Sequence, residues 1–177
     1  DIATIAGLNT GAVATFTGSF LSEEIVSTAT AAITIKTGAG NDTVVGKDGN
    51  VENVVFAEGN KTFSTELAAG GADTLELTKD VDKVVLTFDD AALTGKKLSE
   101  LRAAMVFAED LTGSSKDLLI GAAANGITIK DYFANGAGKV FVAGLVQDEL
   151  GAWVPGEIAL EDIVTAANLA PPNLVVK

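Results

Sequence analysis

The stretch Thr37-Gly38-Ala39-Gly40-Asn41-Asp42-Thr43-Val44-Val45-Gly46 joins a glycine-rich turn to one carboxylate and then enters an apolar run of strand type. That combination suits a hard cation. Calcium takes roughly six to eight oxygen ligands from carboxylates, carbonyls and water, so its site needs backbone turned inward beside one or more Asp side chains. Glycine permits the turn. On this reading Gly38 and Gly40 expose carbonyls, Asn41 belongs to the same shell and Asp42 supplies charge. Asp48 and Asn50, in the next turn, lie close enough in sequence to complete it. Asp73, behind Gly70 and Gly71, joins this site or forms another. Asp117 is the weakest candidate, because its loop carries Ser and Lys in place of glycine. The bland alternative for each turn is a hairpin in which Asn and Asp cap their own backbone and bind nothing. Asn41-Asp42-Thr43 and Asn60-Lys61-Thr62 also match the glycosylation sequon, and modification of the first would compete with calcium for one loop.

Other chemistries are thinly represented. The 177-residue chain has no Cys and no His, which removes zinc sites of the usual kind, haem ligation and His-dependent triads. Two carboxylates can run glycoside hydrolysis, but one Trp and one Tyr make a sparse platform for sugars. The glycine runs lack the Lys-Ser/Thr of a phosphate loop, and no Ser-x-x-Lys occurs. The chain therefore reads as a non-enzyme. Its 24 Asp and Glu against 12 Lys and Arg give a net charge of -12, which disfavours nucleic acid and anionic lipid and favours cations. The acidic pairs Glu23-Glu24, Asp89-Asp90, Glu109-Asp110 and Asp148-Glu149 read as solvated surface.

Gly-x-Gly-Asn-Asp-x-Val at Gly38 to Val44 resembles one copy of the calcium-binding nonapeptide of secreted RTX proteins. A looser echo lies at Gly70 to Leu77. The tract from Ile127 through Tyr132-Phe133 to Trp153 and Ile163 looks like segments that follow such repeats. The resemblance implies Ca2+ as cofactor, and in that family the nonapeptides stack as a parallel β-roll with ions shared between turns. In this chain the next nine residues, Gly46 to Val54, place Val51 where the aspartate belongs, and no third repeat follows. A solenoid needs several stacked repeats to bury its core, so an extended β-roll is not expected.

The elements that must hold these loops are mainly strands. The chain is long enough for one domain, 1–177, and 47% of its residues are hydrophobic. Alternation predicts strands at Val13–Thr17, Ile33–Lys36, Val51–Ala57, Asp73–Leu77, Lys83–Phe88, Ile127–Lys130 and Lys139–Ala143. Gly59 and Asn60 read as punctuation. Short connections between strands point to antiparallel pairing, so the expected fold is an antiparallel β-sandwich-like domain with Gly/Asp calcium-type loops. Two short helices are expected, over Lys96–Met105 and Ala159–Ala170, the second ended by Pro171-Pro172. Ile127–Lys130 repeats Ile33–Lys36, and Asn135-Gly136-Ala137-Gly138 echoes Gly38-Ala39-Gly40, a pattern that an internal duplication or chance would produce.

Residues 1–20 form a leading segment, uncharged from Ile2 to Phe20, that either closes the domain's own sheet or inserts into a neighbouring subunit. The tail 171–177 is an edge strand or seeks a partner. The chain begins at Asp1 rather than Met, which fits removal of a leader or excision from a larger protein. No apolar run reaches the roughly 18 residues of a membrane span. The leading expectation is a secreted or cell-surface, calcium-binding structural protein that forms a homo-oligomer or polymer, as a filament, layer or matrix. The alternatives are an adhesin or carbohydrate-binding module with a glycan or surface ligand, and an accessory domain of an enzyme.

Overall fold

In the computed structural model the described residues are 2–6, 14–29, 31–46, 49–67, 71–110, 116–122, 125–164 and 169–170. Strands alternate between two sheets as the chain advances. The first sheet takes β1 (Ile2–Ala6), β3 (Glu24–Thr28), β5 (Asp42–Val45), β7 (Gly59–Thr65) and β9 (Val81–Phe88) in that spatial order. The second takes β2 (Ala14–Thr17), β4 (Ile33–Lys36), β6 (Glu52–Phe56) and β8 (Asp73–Leu77). Each strand pairs in parallel with the strand two further on, so the chain winds through about three turns of a β-solenoid.

This corrects the expected antiparallel sandwich. Short connections here do not make hairpins; they carry the chain across the core to the opposite sheet. Gly38 and Gly59 show why glycine is required in those turns. Both have positive φ, at 77° and 101°, and a Cβ would lie 1.9 Å from Ser19 O at the first and 2.3 Å from Gly40 O at the second. The clashing atoms belong to the neighbouring coil, so the glycines serve coil stacking.

The exclusion of a β-roll is corrected with it. The register pairs Ile33 with Glu52 and Asp42 with Lys61, a coil of 19 residues, one longer than two nonapeptides. The acid counted to Val51 therefore stands at Glu52. The stacking unit is this coil, and Ile127–Ile129 stands in the same columns of the second sheet as Ile33–Ile35.

Inward positions build the core by simple alternation. Ile25, Val44, Phe63, Leu86 and Val142 stack in one sheet, and Ile35, Val54, Leu75 and Ile129 stack in the other, all at or near full burial. Toward the C-terminal end β12 (Ile127–Ile129) and β13 (Val140–Gln147) continue the two sheets in parallel on β8 and β9. Antiparallel pairing appears only there among the described residues. It joins β13 to β14 (Trp153–Ala159), β12 to β11 (Asp117–Ile120), and β11 to β10 (Phe107–Asp110), while β15 (Leu169–Ala170) runs parallel to β10.

Helix α1 (Leu98–Ala104) forms inside the span expected of it and buries Leu101, with Met105 buried just beyond. The second expected helix is only one turn, α2 (Leu160–Ile163), and Leu169–Ala170 is strand instead. A π-helical turn at Tyr132–Gly136 follows β12. Gly59 and Asn60 open β7 where punctuation was expected, and Gly59 turns because Gly40 of the previous coil leaves it no room for a side chain. No helix among the described residues is long and apolar enough to cross a membrane. The segments 7–13 and 171–177, and with them much of the leading segment and the whole tail, lie outside the described residues. Strands β1 and β2 pair with β3 and β4 of the same chain.

Candidate functional site

The two lines where the chain crosses between sheets are the rims of the solenoid, and the two carry different charge arrangements. At the first rim Glu23, Asp42, Lys61 and Val84 occupy one column of the first sheet. Alternation with Val44 turns Asp42 inward, and alternation with Phe63 turns Lys61 inward. Lys61 Nζ donates to Gly38 O at 2.9 Å, to Gly40 O at 2.8 Å and to Asp42 Oδ2 at 2.5 Å. Both ionised side chains are fully buried. Asp42 Oδ1 accepts the Glu23 N–H at 3.0 Å. All three ammonium protons are used, and one carboxylate faces one cation.

These are the oxygens that the sequence assigns to calcium. Gly38, Gly40 and Asp42 do come together, and the ion they surround is the Lys61 ammonium. Asn41 does something else: its side-chain Oδ1 accepts the Asn60 N–H at 3.0 Å, and its own N–H donates to Ser22 Oγ at 3.1 Å. Position for position, Ser22, Asn41 and Asn60 form a polar ladder from coil to coil.

At the second rim the column reads Ile33, Glu52, Asp73, Ile127. Two acids stand on neighbouring parallel strands, about 4.8 Å apart by strand spacing, between two isoleucines. Glu52 is 0% exposed and Asp73 is 2% exposed. Glu52 Oε1 accepts from Ser27 Oγ at 2.8 Å and from Asn50 Nδ2 at 2.9 Å. Asp73 Oδ1 accepts the Glu52 N–H at 3.0 Å, and Oδ2 accepts from Thr65 Oγ1 at 3.4 Å. Glu52 Oε2 is buried with no hydrogen-bond partner. Burial pushes the Asp73 carboxyl up to about 7; the Glu52 N–H opposes the rise, while the Glu52 charge and its carboxyl contact add to it.

Asn50 and Asp73 thus meet at the second rim, away from Asp42, and Asp48 lies outside the described residues. Sequence reasoning missed Glu52, Ser27, Thr65 and Lys61. A signal existed for two of them: Glu52 alternates with Val54 and Phe56, and Lys61 with Phe63, which places both charges on inward faces. The fourth aspartate singled out, Asp117, is buried and accepts from Lys130 Nζ at 2.7 Å and from the Asp131 N–H at 2.8 Å. No group of three or more acidic, His or Cys side chains arranged for a metal occurs among the described residues.

No family model and no curated protein matches this chain.

Proposed function

We propose that this chain is an extracellular structural module that associates with copies of itself by adding strands at one end of its solenoid. The observation that carries the reading is the pair of edges there. Both sheets end on the same side, in β1 and in β2, and no other described strand pairs with their outer edges. Native edges are ordinarily blunted by Lys, Pro or a bulge, yet the sequence from Ile2 to Phe20 carries no charge at all. Phe20, 79% exposed, and Leu21, 48% exposed, add apolar surface in the turn directly after β2. Parallel edges of this kind accept a strand from a second copy through main-chain hydrogen bonds.

Thr15 and Thr17 of β2 are exposed, so Thr15→Lys/Thr17→Lys places charge on that edge without touching the core. Light scattering on the full chain at rising concentration is expected to show oligomers that this double variant abolishes. A wild type that stays monomeric to millimolar concentration would sink the proposal.

A second reading, an adhesin or carbohydrate-binding module, draws on Trp153. It is half-exposed near the exposed Leu150 in the β13–β14 hairpin, with Lys97 Nζ 4.2 Å from its ring centroid. That reading requires a monomer whose Trp fluorescence changes on titration with glycans.

A further inference from the structure

We propose that Ser27, Asn50, Glu52, Thr65 and Asp73 form a buried site for one hard divalent cation, calcium ahead of magnesium. The inference is independent of the self-association proposed above. It begins from an unbalanced charge. Two carboxylates sit side by side in a column otherwise made of isoleucine, and their hydrogen-bond partners are hydroxyls, an amide and a backbone N–H. Among the described residues no lysine or arginine is one of them. A buried carboxylate pair without a cation is strongly disfavoured, since both desolvation and mutual repulsion act against it.

The second observation is the orphan oxygen. Glu52 Oε2 is fully buried and accepts nothing, while its sister Oε1 accepts two hydrogen bonds. Buried acceptors are ordinarily satisfied, so an oxygen left bare beside a second carboxylate marks the place where a positive ligand acts. Space is left on this side by Gly46, where a Cβ would lie 3.4 Å from Glu52 Oε2.

The donor set decides the kind of cation. The two carboxylates and two hydroxyls offer oxygen, Asn50 turns its Nδ2 toward Glu52, and none of the five offers sulfur or imidazole, which selects hard ions over zinc or copper. Two carboxylates match a charge of two. Magnesium demands near-octahedral geometry and keeps several waters, whereas calcium accepts an irregular shell of carboxylate, amide and hydroxyl oxygens; a closed cluster of side chains on four different segments suits the second. This cluster is made of inward-facing side chains and uses none of the glycine carbonyls of the first rim.

The test uses the full chain, stripped with chelator and titrated calorimetrically with CaCl2 and with MgCl2. One calcium per chain is expected, with magnesium at least tenfold weaker, and Glu52→Gln and Asp73→Asn should each weaken calcium at least tenfold. Asp148→Asn, in an exposed turn, should leave it unchanged. No uptake at millimolar calcium overturns the proposal and leaves a proton as the partner of the pair. Uptake retained in both rim variants overturns it too, by moving the ion elsewhere. Should circular dichroism find either variant unfolded, Ser27→Ala removes one neutral oxygen, and a calcium affinity that does not fall several-fold would count against the site.

Discussion

The first rim holds a carboxylate with its cation supplied by the chain, whereas the second holds two carboxylates and, among the described residues, no cation. At the first, Lys61 reaches back one coil and fills a cage of two carbonyls and Asp42. At the second, the equivalent inward positions are Glu52 and Asp73, and the nearest donors are uncharged. At both rims the inward residues stand opposite one another on parallel strands. What differs is the inward side chain: a lysine faces the carboxylate at the first rim and a second carboxylate faces it at the other.

The sharpest way to break that contrast is to remove the internal cation. Lys61→Met strands Asp42 as a buried unpaired charge, and breaking such a pair costs about 3–5 kcal/mol; urea unfolding is expected to register a loss of that size. Asp42→Leu with Lys61→Met removes both charges and should recover most of it. A double variant as unstable as the single one would mean that the cage, and not the ion pair, holds this rim.

At the second rim the lever is pH. Asp73 has a folded pKa of about 7 against an ordinary value of 3.8, so the native state holds a proton that the unfolded chain releases first. Its contribution is fully present below the lower value and is lost as pH rises toward about 7, by at most about 4 kcal/mol. In chelator-treated protein, wild type should therefore lose stability relative to Asp73→Asn between pH 4 and pH 7, with no further divergence above. Parallel pH profiles for the two proteins would show that Asp73 ionises normally.

Glycines supply a smaller test of the same contrast. Gly38→Ala meets Ser19 O and a positive φ, and strain of this kind costs about 1–3 kcal/mol before the clash is counted, which thermal melting should reveal. Gly46→Ala meets Glu52 Oε2 and Phe63 only at ordinary contact distance, 3.4 Å, so its effect on stability is expected to stay within about 1 kcal/mol. Equal losses at the two positions would erase the distinction between a glycine pressed against the neighbouring coil and one with room beside it.

Much of this was legible in the chain. The strands at Ile33, Val51, Asp73 and Lys83 follow from alternation, as does α1 from Leu98, Leu101 and Met105. The 19-residue coil is also visible once sought: Gly40-Asn41-Asp42-Thr43-Val44 aligns with Gly59-Asn60-Lys61-Thr62-Phe63. The two sequon matches are that repeat. Counting in nines from Asp42 concealed it, because the half-coils are unequal and the acid moves from Val51 to Glu52. The parallel pairing was not legible, since a short glycine turn is compatible both with a hairpin and with a crossing to the opposite sheet.

By itself the sequence determined which residues face inward, because alternation along a strand is a local property, and it determined that Gly38, Gly40 and Asp42 would turn oxygen toward a cation. Only the tertiary structure decided which cation. Stacking of coils brought Lys61, 19 residues beyond Asp42, into that cage and set Glu52 against Asp73, 21 residues further on, and contacts between coils depend on a register that no single coil contains.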